Sequence, residues 1–139
     1  MTVARWLLRL ENFLSALALL EEAIARAALQ PDDELVAAGT VQRFEICWEL
    51  GWKVLRDYLF YAGSPVEVPV PINVIRAAFQ AGLISDGDKW VSAMRARNEM
   101  SHVYDPVAFR KTVSAIREIY FPLLQALETQ MTKERDAAN

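Results

Sequence analysis

Two chemically versatile side chains are almost missing from this 139-residue chain, which has one cysteine, Cys47, and one histidine, His102. A lone cysteine excludes an intrachain disulfide and suits a reducing compartment, so a cytoplasmic location is expected. One cysteine and one histidine are also too few for a structural zinc site within one chain. No metal site and no cofactor are expected. Glycine is scarce, at five residues, and none of it forms a glycine-rich phosphate loop. No uncharged stretch is long enough to span a bilayer. Arg5, Arg9 and Glu11 interrupt the apolar start, so neither a membrane anchor nor a cleaved leader is expected.

Excess positive charge is missing too. The net charge is −3, which is not the footprint of a general nucleic-acid binder. Residues 1–39 carry three basic and six acidic groups, while residues 40–104 carry seven of each. Any phosphate contact must therefore be local, not a broad basic face.

What the chain has in quantity is apolar side chains, 53% of the total, enough for one core in a chain of single-domain length. Their spacing is helical. Trp6, Leu7, Leu10, Phe13, Leu14, Leu17, Leu20 and Ile24 recur at steps of three and four over residues 2–30, with Thr2 as the expected cap and Pro31 as the stop. Asp32 and Asp33 can cap a second helix reaching Ala62, with a break possible at Gly39-Thr40. Its apolar face holds Phe44, Cys47, Trp48, Gly51, Leu55, Tyr58 and Leu59. Gly51 in that face predicts close approach by another helix. Gln42, Glu45, Glu49, Trp52, Lys53 and Arg56 form the other side, which reads first as a solvated face or packing-supporting pairs and second as a polar wall facing the Arg97–His102 region or a partner.

Gly63 predicts a helix end. Pro65, Pro69 and Pro71 make residues 64–71 an extended linker despite their strand-like alternation. Asn73 is the expected cap of a short helix through Ala81, and Asp88 that of the next. Asp105-Pro106 reads as a cap followed by proline at the first helical position. The last helix carries Pro122, which should kink or divide it. The expected fold is all-α: an antiparallel up-and-down four-helix bundle with one additional short helix, a single domain over residues 1–131, and a frayed polar tail at 132–139.

The chemistry concentrates between Met94 and Asp105. Arg97, Asn98, Ser101, His102 and Tyr104 lie within eight positions. Imidazole moves protons near neutral pH, and guanidinium grips phosphate. On a continuous helix Arg97 and His102 would stand about 140° apart, whereas Asn98 and His102 would stack at i and i+4. Such a set can deprotonate an RNA 2′-hydroxyl and stabilise charge on the phosphate without a metal. Cleavage by this route benefits from both a base and an acid, and a two-fold homodimer that brings two copies of His102 and Arg97 to one cleft would supply both. The plainer reading is a histidine that caps carbonyls or pairs with Glu99 or Asp105.

The Arg-x4-His-x-Tyr pattern formed by Arg97, His102 and Tyr104 resembles the motif of the HEPN superfamily, and within it the HepT-like proteins. Two further segments carry the likeness in the same order: Gln42 to Lys53, and Ala78 to Ile84 followed by Asp88-Lys89-Trp90. The resemblance implies a helical bundle that dimerises around the motif. It implies a metal-independent ribonuclease toxin with Arg97 and His102 catalytic and Asn98 supporting, RNA as substrate, and a small MntA-like nucleotidyltransferase antitoxin as partner. That partner would transfer AMP to Tyr104, where added bulk and negative charge would block the cleft. The alternative within the same family is a non-catalytic substrate-binding subunit of a two-protein nucleotidyltransferase. In that case Glu45, Glu49, Lys53 and Arg97, with Ser101 nearby, would line or support a ligand groove.

Overall fold

In the computed structural model, which describes residues 3–100, 102 and 105–138, the apolar periodicity becomes helices. They are α1 (Arg5–Leu29), α2 (Glu34–Tyr61), α3 (Pro71–Gln80), α4 (Gly87–Met100), α5 (Pro106–Ala115), a π-helical turn (Ile116–Tyr120) and α6 (Phe121–Ala137). No strand occurs among the described residues.

Helices α1 and α2 form the most extensive pairing, a long hairpin joined by residues 30–33. Asp33 makes that hairpin possible. Its carboxylate accepts from the Leu35 and Val36 amides and closes two of the orphan donors at the start of α2. Helix α2 then runs without interruption through Gly39-Thr40. The Thr40 hydroxyl donates back to the Val36 carbonyl at 2.8 Å, so the threonine is absorbed by the helix. Thr2, the expected cap of α1, lies outside the described residues; the capping position is Ala4, which offers no side-chain acceptor.

Helix α2 is the axis of the bundle, packed by α1, α3, α4, α5 and α6. The close approach expected at Gly51 is present. A Cβ there would stand 3.3 Å from Leu127 Cδ2 of α6 and 3.3 Å from Phe13 Cε1 of α1. Trp6, Trp48, Trp90, Phe13 and Phe44 are fully buried, and Tyr120 stacks on Phe44 with ring centroids 5.5 Å apart. Each such side chain contributes roughly 1.5–3 kcal/mol by leaving water, against about 0–1 kcal/mol for an exposed ion pair. Apolar burial therefore dominates the fold's stability.

Several local expectations need correction. Trp52 is 7% exposed, although it shares a side with polar neighbours. Arg56 and Lys53 lie over its ring at 5.4 and 6.0 Å, and its indole donates to Glu49. Helix α3 starts at Pro71, not after Asn73, because proline's fixed φ suits the first helical position; Asn73 instead ties the linker by donating to the Val68 carbonyl. Asp88 lies within the first turn of α4 rather than at its cap, where its charge still favours the helix N-terminus. Residues 132–137, expected as a frayed tail, continue α6. Met131 is fully buried there, and Glu134 accepts from Tyr58 at 2.8 Å and from Gln130 at 2.9 Å.

The linker is as expected. Gly63, at φ 85°, allows the Ser64 amide to reach the Leu59 carbonyl, and the chain is then non-helical to Val70. Asp105 caps α5 through the Val107 amide with Pro106 beside it. The divided last helix is also present, in the form of the π-helical turn that precedes Pro122.

Candidate functional site

Helix α4 delivers the motif. Trp90 and Ala93 bury one side of it and so fix its rotation, which leaves Arg97 half-buried and Asn98 exposed. The helix stops at Met100, and the His102 amide closes the end by donating to the Glu99 carbonyl at 3.0 Å. This departs from the continuous helix that would stack Asn98 and His102 at i and i+4. With the helix ended, His102 belongs to the turn that follows and is exposed. Asn98 is engaged by another group. Ser101 and Tyr104 lie outside the described residues.

Arg97 is directed toward α2. Its Nε stands 3.2 Å from Glu49 Oε1. That nitrogen is buried and has no aligned acceptor among the described residues, so the contact with Glu49 is an ion pair and not a hydrogen bond. The other Glu49 oxygen accepts from Trp52 Nε1 at 3.1 Å and lies 3.8 Å from Lys53 Nζ. Glu49 thus joins the motif arginine to the α2 signature segment, and the expected i,i+4 pair with Lys53 is formed.

Gln42, Glu45, Ile46, Glu49, Leu50 and Arg97 line an open groove of about 520 Å³. Four candidates, Arg97, Glu45, Glu49 and Lys53, are therefore assembled in and around one place. His102 does not line this groove; it stands in the turn beyond the end of α4. The groove offers one guanidinium between two carboxylates, beside the half-exposed Ile46. This arrangement holds an arginine in position and permits its release, because a half-exposed ion pair costs little to open.

A second charged cluster was not anticipated. Asp57, 6% exposed, accepts from Arg9 Nε at 3.1 Å and from Arg56 Nε at 3.0 Å. The available signal was a lone acid among Val54, Leu55, Tyr58 and Leu59. A buried carboxylate requires partners, and arginines supply them. Among the described residues no group of three histidine, cysteine, aspartate or glutamate side chains is arranged to hold a metal. No described helix is long and apolar enough to cross a membrane.

Comparison with known proteins gives a consistent picture. The family model described as nucleotidyltransferase substrate binding protein like matches residues 8–133. A curated protein of Haemophilus influenzae, named a probable ribonuclease HepT, is 32% identical over 82 residues; the match spans 55% of this chain and about half the length of that relative, 56%. A solved structure from Haemophilus influenzae, described as showing the fold of a substrate binding domain of a nucleotidyltransferase, superposes with a TM-score of 0.77 at 23% identity. It covers 88% of this chain and 98% of its own. That likeness carries the fold.

Proposed function

The chain belongs to the nucleotidyltransferase substrate binding protein-like family, as a HepT-like HEPN protein, and from that premise we propose that it is a metal-independent ribonuclease toxin. It acts as a homodimer, and a small nucleotidyltransferase silences it by adding AMP to Tyr104. The observation that supports the reading is an exposed His102 just beyond the end of α4, five positions after an Arg97 anchored on Glu49. His102 takes the proton of the RNA 2′-hydroxyl. The oxygen so released attacks the adjacent phosphorus, and Arg97 stabilises the charge on the non-bridging oxygens. Asn98 supports the set. The leaving 5′-oxygen takes its proton from the second protomer's histidine, which explains how one histidine per chain suffices.

The test is RNA cleavage in EDTA by purified protein whose Tyr104 is shown by mass spectrometry to carry no AMP. His102→Ala should lose at least about 100-fold in rate. Equal cleavage by parent and variant would place the activity elsewhere.

The second reading is a non-catalytic substrate-binding subunit of a two-protein nucleotidyltransferase. The groove around Arg97 favours it, since Gln42, Glu45 and Glu49 beside one guanidinium offer both acceptors and donors to a polar ligand. No cleavage of several RNAs by unmodified parent protein would select this reading.

A further inference from the structure

Where the start of α1 meets the end of α2, Arg5, Trp6, Arg56, Asp57, Phe60 and Tyr61, with the linker from Pro65 to Pro69, line an open cavity of about 570 Å³. It shares no residue with the groove at Arg97 and lies about two helical turns further along α2. We propose that this cavity binds a small amphipathic anion, a flat ring or short acyl body bearing one carboxylate or phosphate.

The apolar part of the recognition is built from large rings. Phe60 is 74% exposed and Tyr61 56% exposed, because the linker passes beside them without covering them. Trp6, its ring centroid 5.8 Å from that of Tyr61, forms another wall. Prolines at 65 and 69 restrict the linker's backbone, so this wall loses little freedom when a ligand settles. The volume falls within the roughly 300–1,000 Å³ typical of small-molecule sites, which are mostly apolar with a few fixed polar groups.

Apart from Asp57, the charged groups of the lining favour an anion. Asp57 is the one carboxylate in the lining, and it is already engaged by two guanidiniums. Arg56 uses only Nε in that pair, so its Nη donors have no acceptor among the described residues. Arg5 has no ion-pair partner among them either. Among the described residues, helix α1 begins here with no side-chain cap and no acid in its first turn, so its N-terminal amides add to the positive side of the lining. Trp6 is 1% exposed, and its indole Nε1 has no hydrogen-bond partner among the described residues, but that nitrogen is sealed from the cavity and takes no part in the recognition. The ligand's ring packs on Phe60 and Tyr61 while its anionic group meets the free guanidinium donors of Arg5 and Arg56.

The test uses 2-naphthoate as the probe on the full-length protein, followed by calorimetry and amide chemical shifts. Binding should be saturable with one site per chain, and at least about tenfold tighter than 2-naphthalenemethanol or inorganic phosphate. Shifts should concentrate at residues 4–6 and 56–69. Arg5→Gln and Phe60→Ala, both at exposed positions that the fold does not need, should each weaken binding about tenfold; His102→Ala should not change it. Equal affinity for the alcohol would reduce the cavity to a non-specific apolar patch and overturn the proposal. So would absent binding, unchanged affinity in both variants, or shifts centred on α4. None of these outcomes depends on RNA cleavage.

Discussion

Helix α2 carries two carboxylates that each meet arginine, and they are built differently. Asp57 is buried, and each of its oxygens accepts an aligned guanidinium hydrogen bond. Glu49 is half-exposed, and the arginine nitrogen that faces it, Arg97 Nε, is not aligned to donate. The first geometry holds α1 against α2, because Arg9 and Asp57 lie 48 positions apart in the chain. The second leaves the motif arginine anchored but separable. One helix thus provides a fixed ion cluster at one end and a releasable pair near its middle. Charge alone does not distinguish them; burial and hydrogen-bond alignment do.

The largest effect expected from breaking this contrast is at Asp57. Asp57→Ala leaves two partly buried guanidiniums without a counter-charge and should cost about 2–3 kcal/mol, below the full value for a deeply buried pair because both arginines keep some solvent contact. Urea unfolding checks it, and a loss under about 1 kcal/mol would erase the distinction drawn above.

The next effect is alkaline. Burial, aided by the Glu128 carboxylate, pushes the Cys47 thiol up to about 12, whereas the unfolded thiol ionises near 9.0. Burial and the hydrogen bond to Glu134 also raise Tyr58. Both folded-state values are raised. Their contribution is therefore complete below the unfolded values and is lost as pH climbs, since the unfolded chain releases protons that the folded chain retains. Stability should fall between about pH 9 and 12, by up to about 1.4 kcal/mol per pH unit from the thiol. Cys47→Ala should flatten that slope whatever its effect at neutral pH. Thiol reagents should label Cys47 only after unfolding.

Glu49→Gln should cost less than about 1 kcal/mol, as an exposed pair does, while altering RNA cleavage or ligand binding at Arg97. A stability loss matching that of Asp57→Ala would show that the two clusters are alike. The smallest effect belongs to His102→Ala. Its exposed side chain should leave stability within about 0.5 kcal/mol, so that any lost activity is chemical and not structural.

The helices were legible because apolar side chains recur at the helical period and because the caps at Asp33 and Asp105 are chemically explicit. Gly51 was legible for the same reason, as the smallest side chain on an apolar face. Trp52 was not, since periodicity places it among charges and cannot anticipate that Lys53 and Arg56 fold over its ring. Asp57 was obscured by the same averaging. One acid in an apolar run matters only once Arg9, far away in sequence, arrives beside it. The tail was misjudged because polar composition hides the anchors that Met131 and Glu134 provide. At the candidate site the motif was visible as residue types in order; Glu45 and Glu49 line one groove with Arg97, and Lys53 stands beside Glu49. The end of α4 at Met100 was not visible, because no proline or glycine marks it.

The widened turn at Ile116–Tyr120 also has a consequence for how the chain counts residues. Its closing amide, that of Phe121, reaches back five positions to the Ile116 carbonyl, one more than a regular helix uses. In effect one surplus residue is swallowed within a single turn, just where the Pro122 ring would otherwise press on the carbonyl four positions earlier. From Pro106 to Ala137 the chain behaves as one rod with a phase step. Its first part faces α2, and its second faces α1 and α2 together. Deleting one residue inside this turn would restore ordinary winding while leaving the inward faces on both sides in phase; the same deletion anywhere else in the rod would rotate everything beyond it by about 100°.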